Sequence, residues 1–213
     1  MMKLAIVIPA FNEESSVGDV VEQLITEFDA DVFVIDDFST DSTIDIANAN
    51  GAKVVSLAKN CGYNIALHTG ISYVKEKGYT HAITIDADGQ HPPAYVGQFI
   101  KYFDRGVPFV FAKRNKCARW AEKLFSAYTF LRFGLSDPLC GMKGYELQTL
   151  SHLGNFPSYD SSGTELLLKA VNRGYAWRQV HIDQSERENE SRFGQGIRPN
   201  LKILYALVKG VFI

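Results

Sequence analysis

The chain has 213 residues, of which 46% are hydrophobic and 22% are charged, and its formal net charge is −2. These values are typical of a soluble globular protein with one large domain or two small ones. The three cysteines are odd in number and share no short metal-type spacing, which argues against a disulfide framework and a structural zinc site. No secretion signal and no run of about 18 apolar residues occurs, so we expect a cytoplasmic chain without a membrane span.

The predicted elements of the first half alternate between short β-branched runs and amphipathic stretches. Strands are predicted at residues 4–9, 32–36, 54–57, 82–86 and 109–112. Helices are predicted at residues 15–28, from an N-cap at Asp41 to residue 49, at residues 63–77, and from Pro92 and Pro93 to residue 102. This repetition predicts an α/β fold with a mostly parallel sheet sandwiched by helices.

The second half has a different pattern. Helices are predicted at residues 118–134 and 165–172, a turn at 137–144, a strand at 177–182 and a flexible loop at 183–196. The aromatic residues of the first of these helices could line a lipid groove, but their spacing favours core packing; they are Phe125, Tyr128, Phe130 and Phe133. The tail, residues 201–213, is apolar. We expect all 213 residues to form a single domain.

Charge is distributed unevenly along this organisation. Residues 1–50 contain eleven acidic side chains and a single basic one, Lys3. Residues 113–132 contain six basic side chains and one acid, Glu122. Most such charges are solvated helix faces, but an acidic half joined to a basic half also suits a site that handles anionic groups.

Polar clusters follow three predicted strands, at residues 9–14, 36–41 and 86–91. Ligands of open α/β sheets bind at the carboxyl ends of the strands, so we expect these clusters to converge on one rim. Residues 9–14 lack glycine, which makes a Rossmann dinucleotide site improbable, and no Walker A sequence occurs. Asp86, Asp88 and Gln90 supply the oxygen ligands that Mg²⁺ and Mn²⁺ prefer, which indicates a phosphorylated nucleotide as substrate.

The clusters in this order resemble family 2 glycosyltransferases, and most of all the dolichol-phosphate mannosyltransferase and polyprenyl-phosphate glycosyltransferase branch. The resemblance rests on Val-Ile-Pro-Ala-Phe-Asn-Glu-Glu at residues 7–14, Val-Ile-Asp-Asp-Phe-Ser-Thr-Asp at 34–41, Asn60-x-Gly62-x-x-x-Ala66-x-x-x-Gly70, and Asp-Ala-Asp-Gly-Gln-His-Pro-Pro at 86–93. Residues 137–142 look like the branch's Asp-x-x-x-Gly-Phe turn, and residues 187–192 look like its Arg-x-Gly-x-Ser-Lys loop. Asn189, Arg192 and Phe11 depart from that pattern, standing where the branch has Gly, Lys and Tyr.

The resemblance implies a GT-A fold in which residues 1–115 bind a nucleotide sugar and residues 116–213 form the acceptor half. It implies donor binding by Pro9, Ala10, Phe11, Glu13, Asp36, Asp37, Asp86 and Ala87, and binding of Mg²⁺ or Mn²⁺ by Asp86, Asp88 and Gln90. Catalytic roles are implied for Asp88, Arg114, Glu165 and Arg187. Binding of the acceptor phosphate is expected from Arg119, Lys123 and Arg192.

The implied reaction is an inverting transfer of a hexose from a GDP- or UDP-linked sugar to a polyprenyl or dolichyl phosphate. A lipid phosphate is already an anionic nucleophile, whereas a saccharide hydroxyl would need Glu165 or Asp160 as general base. A nucleotide-sugar-binding module without catalysis is a third alternative. No nucleic-acid partner is expected. The tail, residues 201–213, is expected to pack on the domain, to contact the cytoplasmic face of a membrane peripherally, or to dock on a membrane-protein partner.

Overall fold

The structure is a computed structural model that describes residues 2–115, 119–153, 163–184 and 197–211. The predicted site residues Arg187 and Arg192, the alternative base Asp160, and most of the predicted loop at residues 183–196 lie outside the described residues.

In the described residues, seven strands form one sheet with the spatial order β3-β2-β1-β4-β6-β5-β7. The strands are β1 Leu4–Ala10, β2 Asp31–Asp36, β3 Lys53–Ser56, β4 His81–Thr84, β5 Phe109–Arg114, β6 Lys143–Glu146 and β7 Trp177–Ile182. β6 runs antiparallel to both of its neighbours, β4 and β5, and the other pairings are parallel.

Helices cover both faces of this sheet. They are α1 Val17–Glu27, α2 Thr43–Ala49, α3 Tyr63–Glu76, α4 Val96–Phe103, α5 Trp120–Phe133, α6 Leu147–His152, α7 Thr164–Asn172 and α8 Ile197–Val211, with a 3₁₀ turn, Pro93–Tyr95, before α4. Successive side chains of β1 point to opposite faces: Ile6 and Ile8 pack in the layer of α1, α2 and α4, and Ala5 and Val7 pack in the layer of α3, α5 and α7. The predicted α/β class with a mostly parallel sheet sandwiched by helices is therefore confirmed.

Gly70 brings α3 unusually close to the sheet. A Cβ atom at this position would lie 2.5 Å from Val7 Cγ1 and 2.7 Å from Ile35 Cγ1. The glycine in the predicted motif is therefore needed for backbone approach, which sets the depth of α3 against β1 and β2. α3 begins at Tyr63.

The prediction from sequence missed β6 and α6, and several predicted element boundaries were wrong. The predicted turn at residues 137–144 ends earlier, because Lys143–Glu146 forms a strand that is paired on both sides. Gly144 allows α4 to pack closely on β6, since a Cβ atom there would lie 2.7 Å from the Phe103 ring. β4 ends at Thr84 instead of residue 86, and Ser42 instead of Asp41 is the N-cap of α2, although the Asp41 carboxylate accepts a 3.0 Å hydrogen bond from Thr43 N.

The apolar tail predicted from residue 201 belongs to a longer amphipathic helix, α8, which packs against α5. Asn200 Oδ1 accepts a hydrogen bond from Ala121 N, and the Gly210 backbone approaches the Phe125 ring. Phe125 is fully buried, but Phe130 is 58% exposed, so the prediction of a core position was wrong for Phe130. No helix in the described ranges combines the length and the hydropathy that crossing a membrane requires.

Candidate functional site

The loops that follow β1 and β2 are joined by hydrogen bonds at the carboxyl edge of the sheet. Asn12 N donates to Ser39 Oγ (2.9 Å), Thr40 N donates to Asn12 Oδ1 (2.7 Å), and Asp37 N donates to Ala10 O (2.8 Å). Because β1 also pairs with β4, the loop that follows β4 lies along the same edge. The structure thus brings the three predicted polar clusters to one rim.

The acidic pair at the end of β2 is buried and holds backbone in place. Asp36 is 1% exposed and its carboxylate accepts hydrogen bonds from Ser39 N at 3.1 and 3.3 Å. Asp37 is 3% exposed and accepts from Cys61 N and Gly62 N, both at 2.7 Å. Buried carboxylates need such donors. Asp37 therefore connects the rim to the start of α3, and the predicted contact of both acids with a donor remains a prediction.

The other predicted donor-binding residues lie on β1 and in the loop after it. Pro9 and Ala10 are buried in β1, and Phe11 is half-buried at its end. Glu13 is 7% exposed; its backbone N donates to Thr43 Oγ1 (2.7 Å), and Ser16 Oγ donates to its Oε2 (3.4 Å).

Phe38 is an aromatic residue of the rim that sequence reasoning did not select as a site residue. Its φ angle is +70° and half of its surface is exposed. A bulky side chain in the left-handed region is strained, and such strain persists where neighbouring contacts over-determine the backbone. The hydrogen bonds of Asp36, Asp37 and Asn12 provide that support. The one signal in the sequence was an aromatic ring between polar residues at a strand end.

The loop after β4 places Asp86, Asp88 and Gln90 in partly exposed positions, with the small residue Ala87 buried between the two acids. Tyr63 Oη donates a 2.7 Å hydrogen bond to Asp86 Oδ1, and Asp88 Oδ1 accepts one of 3.1 Å from Gln90 N. Burial of the Tyr63 hydroxyl, together with the adjacent Asp86 carboxylate, raises the pKa of Tyr63 well above its ordinary value.

This donor set fits a hard divalent cation. It offers two carboxylates and one amide oxygen in a short, solvent-accessible loop, and Mg²⁺ usually completes such a partial shell with water and substrate phosphates. In the part of the chain that the structure describes, no group of three or more His, Cys, Asp and Glu side chains surrounds a common point. A metal held by Asp86, Asp88 and Gln90 would therefore depend on oxygens from outside the protein.

Behind Asp86 lies a buried group of polar side chains from two segments of the chain. His91 is 3% exposed, with Nδ1 3.4 Å from Asp86 Oδ2 and Nε2 3.5 Å from Cys140 Sγ. Burial alone would lower the pKa of His91, but the sulfur of Cys140 and the nearby carboxylates of Asp86 and Asp88 raise it to about 9. Lys143 Nζ donates to Cys140 O, and burial lowers the pKa of Lys143.

The predicted catalytic residue Arg114, at the end of β5, is engaged by two buried acids. Its Nε and Nη2 donate to Asp137 at 2.8 and 2.7 Å, and Nη2 lies 3.3 Å from Glu122 Oε2. Burial acts to lower the pKa of Arg114, but pairing with Asp137 outweighs it and raises the pKa. Arg119 Nη1 pairs with Glu122 Oε1 at 3.0 Å, whereas Lys123 is exposed on the next turn of α5.

Glu165, predicted as a catalytic residue, lies in the first turn of α7. Its Oε1 pairs with Lys169 Nζ at 2.8 Å, and its Oε2 is buried without a hydrogen-bond partner among the described residues. Thr164 Oγ1 donates to Pro138 O at 3.0 Å, which holds the start of α7 against the loop that contains Asp137.

Comparison with known proteins agrees with this geometry. A sequence profile described as Glycosyl transferase family 2 matches residues 5–133. A dolichyl-phosphate hexose transferase of Haloferax volcanii is 28% identical over 201 residues, covering 89% of this chain and 86% of that protein. A polyprenol monophosphomannose synthase of Mycolicibacterium smegmatis is 24% identical over 206 residues, covering 86% of this chain and 77% of that protein.

Among solved structures, glucosyl-3-phosphoglycerate synthase from Mycobacterium tuberculosis superimposes with a TM-score of 0.80 at 21% identity. The match covers all of this chain and 79% of that one, and that protein was crystallised with Mn²⁺, UDP and phosphoglyceric acid. The likeness confirms the predicted GT-A fold.

Proposed function

Because the chain belongs to glycosyl transferase family 2 and is a glycosyltransferase, we propose that it transfers a hexose from a GDP- or UDP-linked sugar to a polyprenyl or dolichyl phosphate. The observation that carries the proposal is the convergence of three loops at one sheet edge, which places the Asp86–Gln90 loop beside the rim formed by Asn12 and Asp37. Two named relatives, a dolichyl-phosphate hexose transferase and a polyprenol monophosphomannose synthase, support the acceptor class.

On the donor side, Asp86, Asp88 and Gln90 would hold Mg²⁺ or Mn²⁺ against the diphosphate. A bound metal supplies charge neutralisation for the nucleoside diphosphate as it leaves. The partly exposed ring of Phe11 and the half-exposed ring of Phe38 offer stacking surfaces for the base. The hydrogen-bonded loops that contain Asp36 and Asp37 hold the backbone at this rim in place. Arg114 is proposed to act near the donor through its hold on Asp137.

On the acceptor side, Arg119 just before α5, Lys123 of α5 and Arg192 are proposed to bind the lipid phosphate, and Arg187 is proposed as a catalytic residue. Such an acceptor attacks the anomeric carbon without losing a proton, so no general base is required. The alternative acceptor, a saccharide hydroxyl, needs one. The observation that favours this alternative is Glu165 Oε2, which is buried and has no hydrogen-bond partner in the described part of the chain.

The surface of α5 and α8 supports peripheral contact with a membrane. The exposed side of α5 carries Trp120, Leu124, Phe130 and Leu131, and that of α8 carries Leu201, Tyr205 and Val208. We call these seven residues the apolar helix surface. Large exposed apolar patches mark sites of contact with membranes or partners.

We propose an anionic lipid bilayer as the occupant of the apolar helix surface, and the charges around it support this choice. The basic residues Lys123, Arg132 and Lys202 are exposed on the same two helices, and Lys209 lies beside the Tyr205 ring. The single acid of α5 is Glu122, which is buried, and the sequence of α8 contains none. Apolar side chains flanked by Lys and Arg are the pattern of an interfacial helix on anionic lipid.

The experiment measures transfer of labelled sugar from GDP- and UDP-linked donors into a lipid extract that contains a polyprenyl phosphate. Wild-type protein with Mn²⁺ or Mg²⁺ is expected to produce labelled lipid, and chelation should abolish it. Asp88→Asn should lower the rate on the order of 100-fold or more, since a metal ligand is lost. Asp19→Asn, an exposed acid of α1, is the matched control.

Full transfer by Asp88→Asn would contradict the proposal. Transfer to saccharide acceptors but not to lipid phosphate, together with its loss in Glu165→Gln, would establish the alternative acceptor class. Binding of the donor without transfer to any acceptor would establish a non-catalytic binding module.

A further inference from the structure

The Asp86 carboxylate is contacted from three separate parts of the chain. The hydroxyl of Tyr63, the first residue of α3, donates to Oδ1 at 2.7 Å. His91 Nδ1, a buried atom without a hydrogen-bond partner among the described residues, lies 3.4 Å from Oδ2. The third contact is backbone: a Cβ atom at Gly141 would lie 2.4 Å from Oδ2 and 2.7 Å from Oδ1.

The Gly141 backbone, which lies against the Asp86 carboxylate, belongs to a loop of residues 136–142. Hydrogen bonds from several elements hold this loop in place. Gln179 of β7 exchanges two hydrogen bonds with Ser136, and Arg114 of β5 binds the Asp137 side chain. Asp137 has φ +48°, a conformation that a non-glycine residue adopts rarely and keeps only under such constraint.

The end of the loop is held in the same way. Thr84 Oγ1 of β4 donates to Gly141 O at 2.7 Å, and Lys143 Nζ donates to Cys140 O. Cys140 Sγ in turn contacts His91, so the loop reaches Asp86 both directly and through the imidazole. The loop is therefore fixed from β4, β5, β6 and β7 at the point where it meets the carboxylate.

From these contacts we propose that Tyr63, His91 and Gly141 are positioning residues that fix the orientation of the Asp86 carboxylate for the metal and the donor diphosphate. This inference rests on the proposed function, and it adds to the site Tyr63 and Gly141 from other parts of the chain, together with His91 at the end of the Asp-x-Asp loop. Ligand carboxylates depend on hydrogen-bonding neighbours for their orientation, and loss of such a neighbour typically weakens metal binding about 10- to 100-fold.

The first test compares Tyr63→Phe with Tyr73→Phe, in which the same hydroxyl is removed from the same helix away from the site. Mn²⁺ binding by the full chain is titrated without any sugar, using the electron paramagnetic resonance signal of free Mn²⁺. Tyr63→Phe is expected to weaken Mn²⁺ binding about tenfold or more. Tyr73→Phe should bind Mn²⁺ like the wild type, and both variants should keep the wild-type thermal midpoint within a few degrees.

The second test compares Gly141→Ala with Gly97→Ala, a glycine of α4 where a Cβ atom would meet its nearest neighbour at 3.6 Å. The methyl group at residue 141 displaces the Asp86 carboxylate, so Mn²⁺ affinity should fall and the KM for the donor should rise, while Gly97→Ala changes neither. For His91, the amide of His91→Asn can still reach Asp86, so this variant should retain more Mn²⁺ affinity than His91→Ala.

If Tyr63→Phe and Gly141→Ala both bind Mn²⁺ with an affinity within twofold of the wild type, the inference is overturned and the proposed function stays intact. Loss of affinity in Tyr63→Phe with an unchanged thermal midpoint would support it even where Gly141→Ala does not fold. A wild-type chain that binds no Mn²⁺ and transfers no sugar would overturn the proposed function and this inference together.

Discussion

Arg114, Arg119 and Lys123 belong to one basic stretch of the sequence but occupy different environments. Arg114 is largely buried between Asp137 and Glu122, Arg119 shares Glu122 at the surface, and Lys123 points to solvent. The first of these side chains therefore stabilises the protein in addition to any role at the donor. A loss of transfer after substitution of Arg114 has to be separated from a loss of fold.

We expect Arg114→Ala to lower the free energy of unfolding by about 3–5 kcal/mol, because the buried Asp137 carboxylate would lose its ion-pair partner and Glu122 would keep only Arg119. Urea denaturation followed by circular dichroism measures the change. Arg105→Ala, at an exposed arginine, should stay within about 0.5 kcal/mol of the wild type. Equal urea midpoints for Arg114→Ala and the wild type would show that the buried ion pairs contribute nothing to stability.

Some residues of the candidate site could be predicted from the sequence and others could not. The sequence could predict Asp86, Asp88 and Gln90 as a group because all three lie within five consecutive residues. Tyr63 carries no comparable local signal, and the motif that contains Gly141 does not reveal that this glycine meets Asp86. Their contact with Asp86 exists only after α3 has packed on the sheet and β6 has entered between β4 and β5.

At the scale of elements, the apolar helix surface is predicted to mediate binding to anionic lipid. Leu124→Glu combined with Leu131→Glu should reduce co-sedimentation with phosphatidylglycerol vesicles at least tenfold, because apolar burial is lost and like charge is added. Ile25→Glu on α1, on the opposite face of the sheet, is the matched control. Binding of the wild type should fall as salt rises.

The vesicle experiment has clear contrary outcomes. Equal binding of the double variant and the wild type would show that lipid contacts another surface. If the wild type does not sediment with anionic vesicles, a bilayer is excluded as the occupant of the apolar helix surface. If the wild type self-associates and the double variant does not, the occupant is a second copy of the chain.

Elements with a clear period were predicted well and short ones were not. β1, β2, α3 and β7 have runs of apolar or alternating residues long enough to reveal their type. β6 has four residues, one of them a buried lysine and one a glycine, and its pairing comes from neighbours on both sides. α8 begins four residues before the predicted tail. The prediction missed the first turn because that turn, which contains Arg198 and Pro199, lacks the apolar composition of the rest.

For the whole molecule, binding of the donor nucleotide should raise thermal stability, since a ligand that binds only the native state stabilises it by mass action. UDP or GDP at about 100 times its dissociation constant adds roughly 2.7 kcal/mol, which differential scanning fluorimetry detects as a higher midpoint. The increase should require Mn²⁺ or Mg²⁺ and disappear with EDTA. Absence of any midpoint change with both nucleotides and both metals would contradict the proposed donor class.

The position of β6 has a consequence for how the chain folds during synthesis. The strands β1 to β4 are complete by Thr84, but in the described residues the second edge of β4 is paired by Lys143–Glu146, which comes much later in the chain. Until then β4 exposes unpaired backbone groups beside apolar side chains, which is the type of edge that promotes aggregation. A fragment that ends at residue 133, where the family profile ends, would keep that edge open, so the second half of the chain protects the first half from self-association.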